Sequence, residues 1–130
     1  MAGGDARPTP APLDRRWRAA RLEPTMPSPL ISEVLPDFLE EVVYLLSQTG
    51  EAALGPQVRT LRIESLCDCG HEECSSFATA AEVKVDRTVE LQAMEGILLL
   101  DLNADNEVCF IEILGRPDVK YLLDDYNERR

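Results

Sequence analysis

The sequence predicts an α+β fold: a small antiparallel sheet of about four to five strands, with one helix at its N-terminal end and another at its C-terminal end. Three observations carry this. Apolar residues recur at helical spacing near both ends of the ordered stretch, strand-length apolar runs fill the interval, and a cluster of turn formers joins the two longest runs. With 130 residues, the length fits one domain. The apolar share of 45% is an ordinary globular value.

The first element is a helix over about Pro36 to Gln48. Pro36 suits a first turn, Asp37, Glu40 and Glu41 complement the positive end of the dipole, and Gly50 supplies a stop. Leu35, Phe38, Leu39, Val42, Val43 and Leu46 form one apolar stripe. A short helical piece is expected over Glu51 to Gly55, ended by Pro56. From Val58 to Glu64 the pattern shifts toward period two, which predicts a half-buried strand. Val83 to Asp86 and Val89 to Leu91 read as further strands. Gly96 to Leu100 and Val108 to Leu114 are the strongest strand runs. They are apolar on both faces, which predicts central strands covered on two sides. Asn103 to Asn106, rich in residues that tolerate a left-handed backbone, predicts the hairpin turn between them. Pro117 then opens a helix carrying Val119, Leu122, Leu123 and Tyr126. No internal repeat is visible.

Thirteen basic residues face 24 acidic ones, for a net charge of −11. An acidic surface repels phosphate backbones, so nucleic acid is not an expected partner. No apolar run approaches the roughly 20 residues of a membrane span, so no membrane role is expected. The charge is uneven: residues 1–28 carry five arginines against three acids, and residues 29–130 carry eight basic against 21 acidic residues. The first segment is also rich in proline and poor in periodic apolar residues. Residues 1–30 are therefore expected to be a disordered tail ahead of a single domain over 31–127. Met26 is an alternative start. No secretory h-region precedes Pro12, and neither the proline spacing nor the absence of serine before Ser28 suits a transit peptide. The expected location is the cytoplasm.

Two clusters carry potential chemistry. Cys67-Asp68-Cys69-Gly70-His71-Glu72-Glu73-Cys74 places three thiols and the only histidine within eight residues. Zinc takes four soft or borderline donors in a tetrahedron, and a chain bent at glycine can turn several thiolates inward. The implied ligands are Cys67, Cys69 and Cys74, with His71 or Cys109 as the fourth. Cysteines that merely pack are the commonest outcome for such residues, with metal binding next. Redox work by Cys67, Cys69 or Cys74 comes third, because Asp68, Glu72 and Glu73 oppose a reactive thiolate while leaving a dication undisturbed. The second cluster is Asp101, Asn103, Asp105 and Glu112, which occupy positions 1, 3, 5 and 12 of a helix-loop-helix calcium template. Asn106 stands where that loop needs glycine, the preceding run is strand-like, and no second loop exists to pair with it. A polar hairpin turn accounts for the same letters better. No nucleophile elbow, dinucleotide fingerprint or phosphate loop occurs, and no acid/base pair of carboxylates stands out.

The stretch from Leu35 to Leu123 resembles a group of small bacterial proteins with no assigned activity. The resemblance rests on Cys67-Asp68-Cys69-Gly70, Cys74-Ser75-Ser76-Phe77, Gly96-Ile97-Leu98-Leu99-Leu100-Asp101 and Val108 to Val119. It implies that the cysteine loop and the closing hairpin belong to one module, with the hairpin β rather than calcium-binding. The position of His71 is often acidic in that group, which leaves the three nearby thiols as the transferable feature. The functional expectation is a non-enzymatic binding or structural module with a candidate zinc loop, serving a protein partner or self-association. A thiol redox protein or sensor is the alternative. A small acidic inhibitor or immunity-type factor is the third.

Overall fold

A computed structural model describes residues 28–129. The expected tail and the alternative start at Met26 fall mostly outside them. At its end the tail boundary needs correction: Ser28 to Leu30 are held by the domain. The Ser28 hydroxyl donates to Glu64 at 3.1 Å, the Ile63 amide to the Pro29 carbonyl at 2.8 Å, and Arg62 to the Ser28 carbonyl.

A single turn, α1 (Ile31–Val34), leads into α2 (Pro36–Gln48), whose bounds are those the apolar stripe predicts. Pro36 sits at its start and Thr49 closes it through amide bonds to Leu45 and Leu46. A 3₁₀ turn (Ala52–Leu54) then runs directly into α3 (Gly55–Val58). Pro56 thus opens a helical turn rather than ending one, because its missing N–H costs nothing there. The strand expected from Val58 to Glu64 does not form. Leu61 donates its amide to Val58, and Thr60 donates both amide and hydroxyl to Gln57, so the backbone is spent on a turn. Arg62 reaches only an isolated bridge with Leu30.

The sheet consists of β1 (Ser65–Leu66), β2 (Phe77–Ala78), β3 (Arg87–Leu91), β4 (Ile97–Leu102) and β5 (Val108–Leu114), in the order β1-β2-β5-β4-β3 and antiparallel throughout. α4 (Pro117–Glu128) closes the chain. The fold class is therefore α+β, with five strands and helices at both ends. Val83 to Asp86 makes no ladder. Val83 and Val85 are exposed, and the segment gains pairing only where the Asp86 amide reaches Leu102 at 2.7 Å. The strand expected at Val89 starts two residues earlier, at Arg87.

One sheet face is fully packed. Val89, Leu91, Leu98, Leu100, Leu102, Val108, Ile111, Ile113 and Phe77 bury against Ile31, Phe38, Leu39, Val42 and Leu46 of α1 and α2 and against Val119 and Leu123 of α4. Cover on two sides is not realised along the whole of β4 and β5. On the opposite face Ile97 is 49% exposed, and Leu99, Phe110, Glu112 and Leu114 are half-buried. A bulge at Asp101/Leu102 re-aims the end of β5: Leu102 faces Val108 and Asp101 faces Phe110, leaving Cys109 as the extra residue. No helix among the described residues is long and apolar enough to cross a membrane.

Candidate metal centre

The β1–β2 hairpin places the cysteine loop at the edge of the sheet. Its base is pinned on three sides. The Cys67 amide bonds Ser76 across the hairpin at 3.0 Å, the Ser75 amide bonds Ile113 at 2.9 Å, and Gly115 donates to Glu73 at 3.0 Å. Ser76 adds a side-chain clamp, its hydroxyl receiving the Ile113 amide at 2.8 Å and donating to the Ile113 carbonyl at 3.3 Å. Cys74 lies between these anchors and bridges Leu114.

The tip turns inward for local reasons. Gly70 has φ +81, a left-handed backbone that a side chain would strain. This reversal brings the His71 amide toward Cys69 Sγ at 3.5 Å. His71 Nδ1 accepts the Glu73 amide at 3.1 Å, and the Cys74 amide reaches the His71 carbonyl at 3.1 Å, closing a second turn. As a result the sulfurs of Cys67, Cys69 and Cys74 all lie within 4.8 Å of one another. Cys69 is exposed, and Cys67 and Cys74 are half-buried.

This spacing suits a thiophilic ion. Zinc–sulfur bonds of about 2.3 Å in a tetrahedron place sulfurs roughly 3.8 Å apart. The loop therefore needs to close by at most about 1 Å. Asp68, Glu72 and Glu73, exposed around it, add a negative field that favours a cation. Cys67 and Cys74 shift in opposite directions. Burial pushes Cys67 up to about 11, reinforced by the Cys69 and Cys74 thiols. Burial also opposes ionisation of Cys74, but the Ser76 hydroxyl and amide and the two other thiols outweigh it and hold it below the ordinary thiol value. Cys74 Sγ stands 3.4 Å from Ser76 Oγ. Ionisation is thus eased at Cys74 and resisted at Cys67, and a bound metal ion would displace the protons that remain.

The two expected fourth ligands lie elsewhere. His71 caps the loop through Nδ1 and is not one of the three converging residues. Cys109 is fully buried on the bulge, its thiol directed at the carbonyls of Asp101 at 3.4 Å and Lys84 at 3.8 Å. Burial raises its pKa, and the Asp101 charge adds to the rise. No pattern in the letters separates Cys109 from the loop thiols; the bulge that turns it away is a tertiary feature.

Residues of the calcium template form a hairpin connection. Asn103 Oδ1 accepts the amides of Asp105 and Glu107, each at 2.9 Å, and Asn106 takes the left-handed backbone at φ 63. Asp101 is buried in β4 and accepts the Thr88 hydroxyl at 2.7 Å. Glu112 lies diagonally across from it on β5. Burial and the Asp101 carboxylate raise its pKa. Strands rather than helices flank the loop. Sequence reasoning missed Ser76, the hydroxyl that serves Cys74; a serine two residues after a cysteine carries no signal by itself.

Compared with family models, curated proteins and solved structures, the chain shows no significant match.

Proposed function

We propose that this protein is a small, non-enzymatic binding module whose cysteine loop holds one zinc ion through Cys67, Cys69 and Cys74. The observation that carries this reading is the convergence of three Sγ atoms within 4.8 Å. Three sulfurs favour a thiophilic ion over magnesium or calcium, which take oxygen donors. The resemblance noted in the sequence supports treating the loop and the β4–β5 hairpin as one module: Ser75, Ser76 and Glu73 all tie the loop to the end of β5. Four free thiols fit a reducing compartment, and we place the module in the cytoplasm, acting on a protein partner or through self-association.

Elemental analysis of protein purified without added metal should give about one zinc per chain, lost in Cys69→Ser. Metal-free protein whose melting is unchanged by a chelator would refute the reading. The depressed Cys74 thiol favours a second one, a dithiol redox protein. In that case alkylation of the metal-free protein should be fastest at Cys74, and uniformly slow labelling of all three loop thiols would exclude it.

A further inference from the structure

A tetrahedral ion needs four donors, and the loop supplies three. All four cysteines and the one histidine of the chain fall within the described residues, so the segments outside them add no thiol and no imidazole. Cys109 is spent beneath the bulge, and moving it would empty a fully buried position. His71 Nδ1 is engaged by the Glu73 amide, and that contact helps shape the turn that delivers Cys74. Asp68, Glu72 and Glu73 are exposed and stand outside the convergent group. Cys69 is exposed and Cys67 and Cys74 are only half-buried, so solvent reaches the sulfur cluster.

Closed four-residue sets are the mark of purely structural zinc, whereas three protein ligands and a water mark a site that accepts something else. We infer that the centre is open: a water holds its fourth position, and an exogenous monothiolate replaces it. This rests on the metal reading proposed above. The exchange is a ligand substitution without redox change. The incoming thiol gives its proton to solvent, its sulfur bonds the metal, and the water leaves. A soft donor is favoured because the other three are thiolates, which already commit the site to thiophilic partners.

The test uses the full chain loaded with cobalt(II), whose sulfur-to-metal charge-transfer band reports how many thiolates are bound. Titration with 2-mercaptoethanol should raise that band saturably by about one third, the step from three to four sulfurs in a tetrahedral site. Cys109→Ser should leave both the starting band and the rise unchanged, because that thiol lies outside the loop. A band that does not respond to the thiol, or that falls in Cys109→Ser, overturns the open site while the three-cysteine centre stands. Failure to take up cobalt or zinc at all overturns both.

Discussion

Arg116 offers the sharpest test of how the frame behind the cysteine loop is held. Its side chain is only 7% exposed, and the guanidinium carbon lies 5.8 Å from the ring centroid of Phe38. It makes two bonds to Glu41 of α2, at 2.8 and 2.9 Å, and two to Asp118 of α4, at 2.9 and 3.0 Å. One side chain thus links both long helices to the end of β5, next to the Gly115 amide that anchors Glu73. Arg116→Met keeps much of the volume and removes all four bonds. Breaking a fully buried pair costs about 3–5 kcal/mol. Here the carboxylates are 30% and 56% exposed, so water recovers part of the loss. The expected cost is therefore about 2–3 kcal/mol. For a domain of this size that is a fall in Tm of roughly 10–20 °C by circular dichroism. Arg116→Lys, with a point charge instead of a fork, should fall between. The pH profile adds a second reading. Arg116 holds the Asp118 carboxyl below its ordinary range, so its contribution is present above that range and is lost as pH falls through the depressed value. The gap between parent and Arg116→Met should accordingly narrow in acid. A Tm change under about 4 °C at neutral pH would refute the reasoning.

Three further outcomes follow. Gly96 sits at φ +75, and a Cβ there would collide with the Leu114 carbonyl and lie 2.9 Å from Arg116 Cγ, whereas Gly50 at φ +81 has nothing within 4 Å. Gly96→Ala should therefore cost clearly more than the roughly 1–2 kcal/mol of a left-handed alanine expected at Gly50, and equal losses in chemical denaturation would show the contact to be unimportant. Glu112 has a raised pKa, so its share of stability is complete below the ordinary carboxylate range and is lost as pH rises through the folded value. Glu112→Gln should melt slightly higher than the parent at neutral pH, by roughly 1–4 °C, and equally at pH 3; a lower neutral Tm would contradict this. Ser76→Ala orphans the Ile113 amide and removes the hydroxyl that lowers Cys74, so it should cost about 1–3 kcal/mol and slow alkylation of Cys74; an unchanged labelling rate would disprove the link.

Elements whose pattern repeats over many residues were legible in the letters. The stripe from Leu35 to Leu46 and the run from Val108 to Leu114 define α2 and β5 to the residue, because each meets one apolar layer through a regular period. Short segments were not. Val58 to Glu64 mimics alternation, yet Pro56 and the turn bonds at Gln57 decide its backbone locally. Val83 and Val85 are β-branched but find no neighbour to pair with. β1 and β2, two residues each, lie below any periodic signal. The thiol cluster was visible as composition, and Gly70 as the bend. The removal of Cys109 from it depends on a bulge, and the pairing of Ser76 with Cys74 depends on β5, neither of which the local sequence encodes.

The placement of the candidate centre follows from what the loop lacks. From Cys67 to Ser76 no side chain joins the apolar core, which Phe77 re-enters immediately afterwards. A segment with no apolar anchor cannot be ordered by burial, so its shape rests on backbone bonds at its base and on whatever gathers its tip. Apart from the Cys67–Ser76 bond of the hairpin itself, the base bonds run to β5, the central strand, and to Gly115 at its exit. The rigid sheet therefore fixes Cys74, while Cys67 is fixed by the hairpin ladder, and only Cys69 depends on the turn at Gly70. Two thiols preset by the fold and one carried on a solvent-facing turn would let the loop load or exchange an ion without unfolding the domain. This differs from small metal domains whose core forms only around the ion. A metal bound in the loop would therefore add its stabilisation to a domain whose core, braced by residues such as Arg116, forms without it.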